Sequence, residues 1–313
     1  MLISKNSKLY IAGHKGLVGS RIFEKYKKEG YKNLLTRTKE ELDLRDQGAV
    51  EQFFKKEKPE FVILAAAKVG GIMANMTHQA DFLYDNLAIQ NNVIWYSHVH
   101  EVKKLMFLGS SCIYPRECPQ PMKEEYFMTG PVEPTNEGYA IAKIAGLKLC
   151  EKINNQYKNN FISIMPCNVY GVGEKFDLQN SHVLAALIQK MVTAKEENVK
   201  SVEVWGTGEP RREFMYVDDL ADAAFFLMER YDDPQFINVG TGVDYSIREY
   251  AEVIKKLVGF KGKLVFNTSK PDGMPRKLLD ITRLFGMGWK PKVSLEEGLR
   301  KTLDWWLTTR RSN

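Results

Sequence analysis

The run Lys8-Leu9-Tyr10-Ile11-Ala12-Gly13-His14-Lys15-Gly16-Leu17-Val18-Gly19 decides the fold. Its first five residues make an apolar strand, and residues 17–29 carry helical apolar spacing that Gly30 ends. The three glycines lie between the two. Gly13 permits a tight turn, Gly16 lets backbone approach a pyrophosphate, and Gly19 lets helix and sheet pack closely. The helix N-terminus presents free N–H groups and a partial positive charge to phosphate. This strand–loop–helix unit opens a dinucleotide-binding fold, with His14, Lys15, Leu17 and Val18 beside the cofactor.

Outward from that unit the alternation repeats. Residues 33–37 read as a strand and 50–58 as a helix stopped by Pro59. Residues 61–66 are a strand with no polar alternation, hence buried on both faces. A helix over 81–100, a strand over 104–108, a helix over 139–157 and a strand over 161–165 follow. The fold class is α/β, a doubly wound parallel (Rossmann-type) sheet. Regularity fades after Pro166: a helix near 182–195, a strand at 201–205, a helix at 217–230, a strand at 236–239, and a helix at 246–258 that Gly259 ends. A short strand at 263–266 and two helices complete the chain. We expect residues 1–167 plus about 213–245 to form the dinucleotide-binding domain, and about 168–212 plus 246–313 a smaller α/β substrate domain.

The end of the second strand selects the cofactor. An acidic residue there would bond the ribose 2′-hydroxyl of NAD. This chain has Thr36-Arg37-Thr38-Lys39, and the Arg37 fork favours the 2′-phosphate of NADP. Glu40 and Glu41 follow closely and leave NAD open. Asp43 either reaches the adenine or caps a helix.

The 313 residues are 44% hydrophobic and 27% charged, with a net charge of +6, which suits a globular enzyme with a small anionic substrate or a surface of scattered lysines. No compact Lys/Arg run points to nucleic acid. Cys112, Cys118, Cys150 and Cys167 show no Cys-x-x-Cys spacing, so neither a zinc site nor a redox pair is expected. The polar, lysine-bearing start lacks the apolar core of a signal peptide. The longest apolar stretch, 61–67, is too short to span a bilayer, so a reduced, cytoplasmic setting is expected.

Chemistry enters at Gly138-Tyr139-Ala140-Ile141-Ala142-Lys143. A spacing of four puts Tyr139 and Lys143 on one helix face, where an ammonium would lower the phenol pKa. Such a tyrosine can trade a proton with a sugar oxygen. The strand at 104–108 ends in Gly109-Ser110-Ser111-Cys112-Ile113-Tyr114-Pro115, at the crevice edge of the sheet. Ser110 could hydrogen-bond a substrate oxygen beside Tyr139. Cys112 either faces the same cleft or is inert packing, and His182 either caps its helix or faces the cleft as an acid/base partner to Cys112.

Further runs carry a resemblance: Ala65-Ala66-Ala67-Lys68-Val69-Gly70-Gly71-Ile72, Glu133-Pro134-Thr135-Asn136-Glu137, Asn180-Ser181-His182-Val183, Val204-Trp205-Gly206, Arg212-Glu213-Phe214 and Lys270-Pro271-Asp272-Gly273. With the loops above, they make nearly the whole chain resemble the extended short-chain dehydrogenase/reductases, and within them the GDP-4-keto-6-deoxy-mannose epimerase-reductase family. The resemblance implies NADP(H) as cofactor and a GDP-sugar substrate, with epimerisation at C3 and C5 and reduction at C4 to give GDP-L-fucose. It implies Ser110, Tyr139 and Lys143 as the reductase triad and Cys112 and His182 as base and acid of epimerisation. Leu108, Gly109, Pro166, Asn168, Val169 and His182 would lie along the cofactor, and Lys190, Trp205, Arg212 and Asp272 would hold the GDP-sugar. Cys167 stands where threonine is expected, and Lys190 keeps a charge where arginine is also plausible. A homodimer through the helices at 81–100 and 139–157 is expected on the same ground. The rival readings are another nucleotide-sugar 4-epimerase or dehydratase on this fold, and a non-catalytic NADP-sensing module.

Overall fold

Apolar runs without polar interruption become the strands of one parallel sheet. The computed structural model describes residues 3–176, 183–270 and 272–312. In chain order the strands are β1 (Leu9–Ala12), β2 (Leu34–Leu35), β3 (Phe61–Leu64), β4 (Lys104–Leu108), β5 (Phe161–Pro166), β6 (Asn168–Tyr170), β7 (Ser201–Trp205), β8 (Arg211–Arg212), β9 (Phe214–Tyr216), β10 (Ile237–Val239), β11 (Tyr245–Ser246), β12 (Lys263–Asn267) and β13 (Arg276–Lys277). The helices are α1 (Leu17–Lys28), α2 (Gln47–Glu57), α3 (Ile72–Thr77), α4 (Gln79–Val99), α5 (Glu137–Tyr157), α6 (Val183–Glu196), α7 (Val217–Arg230), α8 (Ile247–Val258), α9 (Thr282–Gly286) and α10 (Leu295–Ser312).

The main sheet runs β10-β5-β4-β3-β1-β2, all parallel. The chain steps outward from β1 to β2, then returns to place β3 on the other side of β1. That reversal opens a crevice at the carboxyl ends of β1 and β3, the usual ligand position in such sheets. Four of the main sheet's six strands, β1, β3, β4 and β10, are buried along their whole length.

Local chemistry sets the element ends. Asp46 accepts from the Ala49 amide at 3.0 Å and starts α2 three residues before the apolar periodicity predicts. Ser246 and Glu249 form a reciprocal capping box on α8, and Gly259 ends that helix at φ +71°. Pairs too short to show a period, β8, β9, β11 and β13, are absent from the sequence expectation.

A second apolar core gathers around Leu187, Met191, Val204, Tyr250, Ile254 and Leu299. It joins α6, α8 and α10 to the parallel pair β7–β12. One boundary differs from expectation. Leu279, Leu284 and Trp289 pack into the first core, not the second, because the segment after β13 crosses back beneath β10. Its anchor is Asn238, whose amide donates to the Met122 and Asp280 carbonyls at 2.9 and 3.1 Å.

Candidate active site

The cofactor side is shaped by missing side chains. Gly13 takes φ +88°, and a Cβ there would lie 2.6 Å from the Ala66 amide nitrogen in the loop after β3. A Cβ on Gly19 would overlap the Gly13 carbonyl oxygen. Gly16 caps α1 with no side-chain hydrogen bond, so the helix N-terminus is left for a ligand. The buried His14 Nδ1 has no hydrogen-bond partner among the described residues. This cradle fits a pyrophosphate.

Arg37 is less free than expected. Its two terminal nitrogens already donate to the Thr36 carbonyl and to Glu57, each at 2.7 Å, and its guanidinium lies 5.4 Å from the Phe53 ring centroid. Asp43 does not cap a helix; Arg45 grips its carboxylate through Nε, one terminal nitrogen and the backbone amide, and holds its pKa down to about 2.

At the carboxyl end of β4 the chain turns through a short helical turn, Ser111–Ile113, capped by Ser110, whose hydroxyl accepts from the Cys112 amide at 3.3 Å. Tyr139 enters from the first turn of α5, half-buried, with its ring edge-on to Phe82 at 6.5 Å. Lys143, one turn on, is buried and donates to the Leu108 carbonyl at 2.8 Å. The structure therefore brings Ser110, Cys112, Tyr139 and Lys143 together.

The electrostatics correct one expectation. The Lys143 ammonium turns toward Leu108, 5.7 Å from the Tyr139 ring centroid, and burial pushes its pKa down to about 8. Burial dominates at Tyr139 too: it drives the phenol pKa up, the neighbouring Cys112 adds to the rise, and Ser110 opposes it only in part. The direction at Tyr139 is therefore toward the protonated phenol, with no lowering from Lys143. Burial also raises the Cys112 thiol, while Lys277 and Lys143 favour its anion. His182 lies outside the described residues, as does Pro271.

Beyond β5, Pro166 ends the strand, the Cys167 amide donates to the Val239 carbonyl at 2.9 Å, and the Asn168 side chain donates to the Glu213 carbonyl at 3.1 Å. Val169 pairs with Met215 in the β6–β9 ladder. On the second body, Lys190 and Lys270 place their ammonium groups 5.5 and 5.3 Å from the half-exposed Trp205 ring. Arg212 faces Lys277 across the β8–β13 pair, and burial lowers its pKa. The Asp272 carboxylate is taken up by the Thr207 amide and hydroxyl at 2.7 and 2.8 Å, and its backbone carbonyl accepts from an Arg212 terminal nitrogen at 3.5 Å.

Two residues went unseen in the sequence. Lys277 sits where its charge acts on Cys112, Cys167, Arg212 and Glu133 alike. Glu213 is 1% exposed and lies between β8 and β9. Only the Arg212-Glu213-Phe214 run hinted at the latter.

Residues 9–240 match the NAD dependent epimerase/dehydratase family. Over 306 residues, 98% of this chain and 93% of the relative, the sequence is 55% identical to putative GDP-L-fucose synthase 2 of Arabidopsis thaliana. The fold matches a GDP-6-OMe-4-keto-L-xylo-heptose reductase from C. jejuni with TM-score 0.93, at 42% identity, covering 99% of this chain and 100% of that one. It matches a GDP-L-fucose synthetase from Naegleria fowleri bound to NADP with TM-score 0.92, at 29% identity, covering 100% and 96%. With its glycine cradle and its serine–tyrosine–lysine cluster, the chain belongs to the NAD dependent epimerase/dehydratase family, among the GDP-L-fucose synthases.

Proposed function

We propose that the chain converts GDP-4-keto-6-deoxy-D-mannose to GDP-L-fucose, inverting C3 and C5 and reducing C4. The observation that carries this reading is the meeting of Ser110, Cys112, Tyr139 and Lys143 at one strand end, in a chain 55% identical over 98% of its length to a relative named for that product. When bound, NADPH supplies the hydride for C4. The loop from Gly13 to Gly19, Arg37, Leu108, Gly109, Lys143, Pro166, Asn168 and Val169 are the residues we assign to hold it.

A ketone at C4 acidifies the protons on C3 and C5. Cys112, as thiolate, takes such a proton, and the neighbouring Lys277 and Lys143 charges lower the cost of that anion. Negative charge moves to the C4 oxygen, where Ser110 and Tyr139 offer hydroxyl donors. His182 is assigned the return of the proton from the opposite face, which inverts the centre. For reduction a proton must reach the same oxygen, and Tyr139, protonated at neutral pH, carries it. One pair of hydroxyls serves both steps because both load the same oxygen. Lys190, Trp205 and Arg212 are assigned to the nucleotide diphosphate, with Asp272 bracing the turn beside Arg212.

Large apolar side chains stay exposed on α4 (Tyr84, Trp95, Val99) and α5 (Ile141), which supports pairing of two copies through these helices. Among the described residues no helix is long and apolar enough to cross a membrane. The four free cysteines suit the cytosolic setting we assign.

The likeness to a C. jejuni reductase at 42% identity favours one second reading, reduction of a related GDP-4-keto sugar without inversion. Incubating GDP-4-keto-6-deoxy-D-mannose with NADPH and reading the product configuration by NMR decides between them. The L-fuco product supports the first reading, C4 reduction with unchanged C3 and C5 supports the second, and no NADPH oxidation sinks both. In deuterated water, Cys112→Ser should slow exchange at C3 and C5 by roughly 10²-fold. Unchanged exchange removes Cys112 from the proton transfer.

A further inference from the structure

Glu213 is a carboxylate buried to 1% exposure with no cation within salt-bridge distance among the described residues. One oxygen accepts from the Thr241 and Gly242 amides at 2.6 and 2.8 Å and from the Thr241 hydroxyl at 3.3 Å. The other accepts from the Leu279 amide at 2.9 Å. Its backbone is engaged too: the amide donates to the Lys277 carbonyl at 3.2 Å, and the carbonyl accepts from Asn168 at 3.1 Å. Three segments remote in sequence therefore close on one residue. Arg212 directly precedes Glu213, Lys277 lies two residues before Leu279, and β10 ends two residues before Thr241.

Gly240 supplies the reciprocal evidence. A Cβ at that position would occupy the place of a Glu213 carboxylate oxygen, although the Gly240 backbone itself is not in the left-handed region. The glycine is needed for the space the carboxylate fills. Burying such a group costs free energy unless its lone pairs are satisfied, and here they are satisfied from both sides.

We propose that Glu213 is a positioning residue for the GDP-sugar side of the cleft, fixing the β8–β13 pair so that Arg212 and Lys277 face one anionic group. The inference rests on the functional reading above. Burial pushes the carboxyl pKa up to about 7, consistent with an acceptor held without a counter-charge. Glutamine cannot replace it silently. A carboxamide has one acceptor oxygen, so an NH2 group would face either the Thr241 and Gly242 amides or the Leu279 amide.

The test is titration calorimetry of the full chain with GDP and, separately, with NADP+, on wild type, Glu213→Gln, Gly240→Ala and Ile254→Val. The last trims the second core away from the clip. Glu213→Gln and Gly240→Ala, which strike the clip from opposite sides, should each weaken GDP by about 10-fold or more while NADP+ affinity stays within about 3-fold. Ile254→Val should leave both affinities near wild type. Undiminished GDP affinity in both clip variants overturns the positioning role, as does an equal loss in Ile254→Val or a parallel loss of NADP+. Wild-type protein that binds NADP+ but not GDP overturns the functional reading itself, a result separable from the others.

Discussion

On the wall we assign to the cofactor, Gly13 and Gly19 leave room that a single Cβ would fill; on the wall we assign to the substrate, Arg212 and Lys277 project from paired two-residue strands next to the buried Glu213. The first wall is made of backbone, set by β1, α1 and the loop after β3. The second is made of side-chain cations whose positions depend on loop braces. A backbone wall is sensitive to added atoms and indifferent to charge. A cationic wall is sensitive to lost charge or lost bracing. We assign Tyr139 to the seam between them, where burial raises its phenol pKa.

The contrast can be broken at several points. The largest effect is expected at the seam: Tyr139→Phe should cut NADPH oxidation by about 10³-fold, with GDP and NADP+ affinities retained by calorimetry. Near wild-type turnover would remove Tyr139 from the chemistry, and a parallel loss of GDP binding would move it onto the substrate wall. Next comes Gly13→Ala, which forces a side chain to φ +88° and against Ala66, and should weaken NADP+ by about 10²-fold while sparing GDP. Arg212→Lys keeps the charge and loses the fork; GDP affinity should fall by about 10-fold and NADP+ should not change. If the two ligands respond together in either variant, the walls are not separate.

The smallest effect is in stability. Burial raises the Glu213 carboxyl from 4.5 to about 7. The folded chain then holds a proton that the unfolded chain has lost, so this contribution is full below about 4.5 and disappears as pH rises through about 7. Melting of wild type against Glu213→Gln between those limits should show the wild type losing stability more steeply. Parallel curves would show that Glu213 ionises normally.

Much of the cofactor wall was legible because the physics that builds it is local. Glycines between a strand and a helix, and the uninterrupted apolar runs of β3 and β4, announce themselves within a few residues. The spacing of Tyr139 and Lys143 was legible too, but its electrostatic consequence was not. Helical periodicity puts the two on one face; it does not reveal that the ammonium turns to the Leu108 carbonyl, or that burial outweighs charge at both groups. Lys277 stayed hidden because its two-residue strand has no period, and Glu213 because it sits between two strands equally short of one. The assignment of residues 279–289 missed for a related reason: only the tertiary anchor at Asn238 draws that segment under the first core.

The sheet order has a bearing on how the chain comes off the ribosome. The strand that shields β5 is β10, Ile237–Val239, which follows the first elements of the second body. Until it emerges, β5 offers a bare row of amides and carbonyls to whatever strand it meets. The nucleotide fold of a nascent chain therefore stays open at one side for most of its synthesis, and this is the stage at which a chaperone or a second chain would find it.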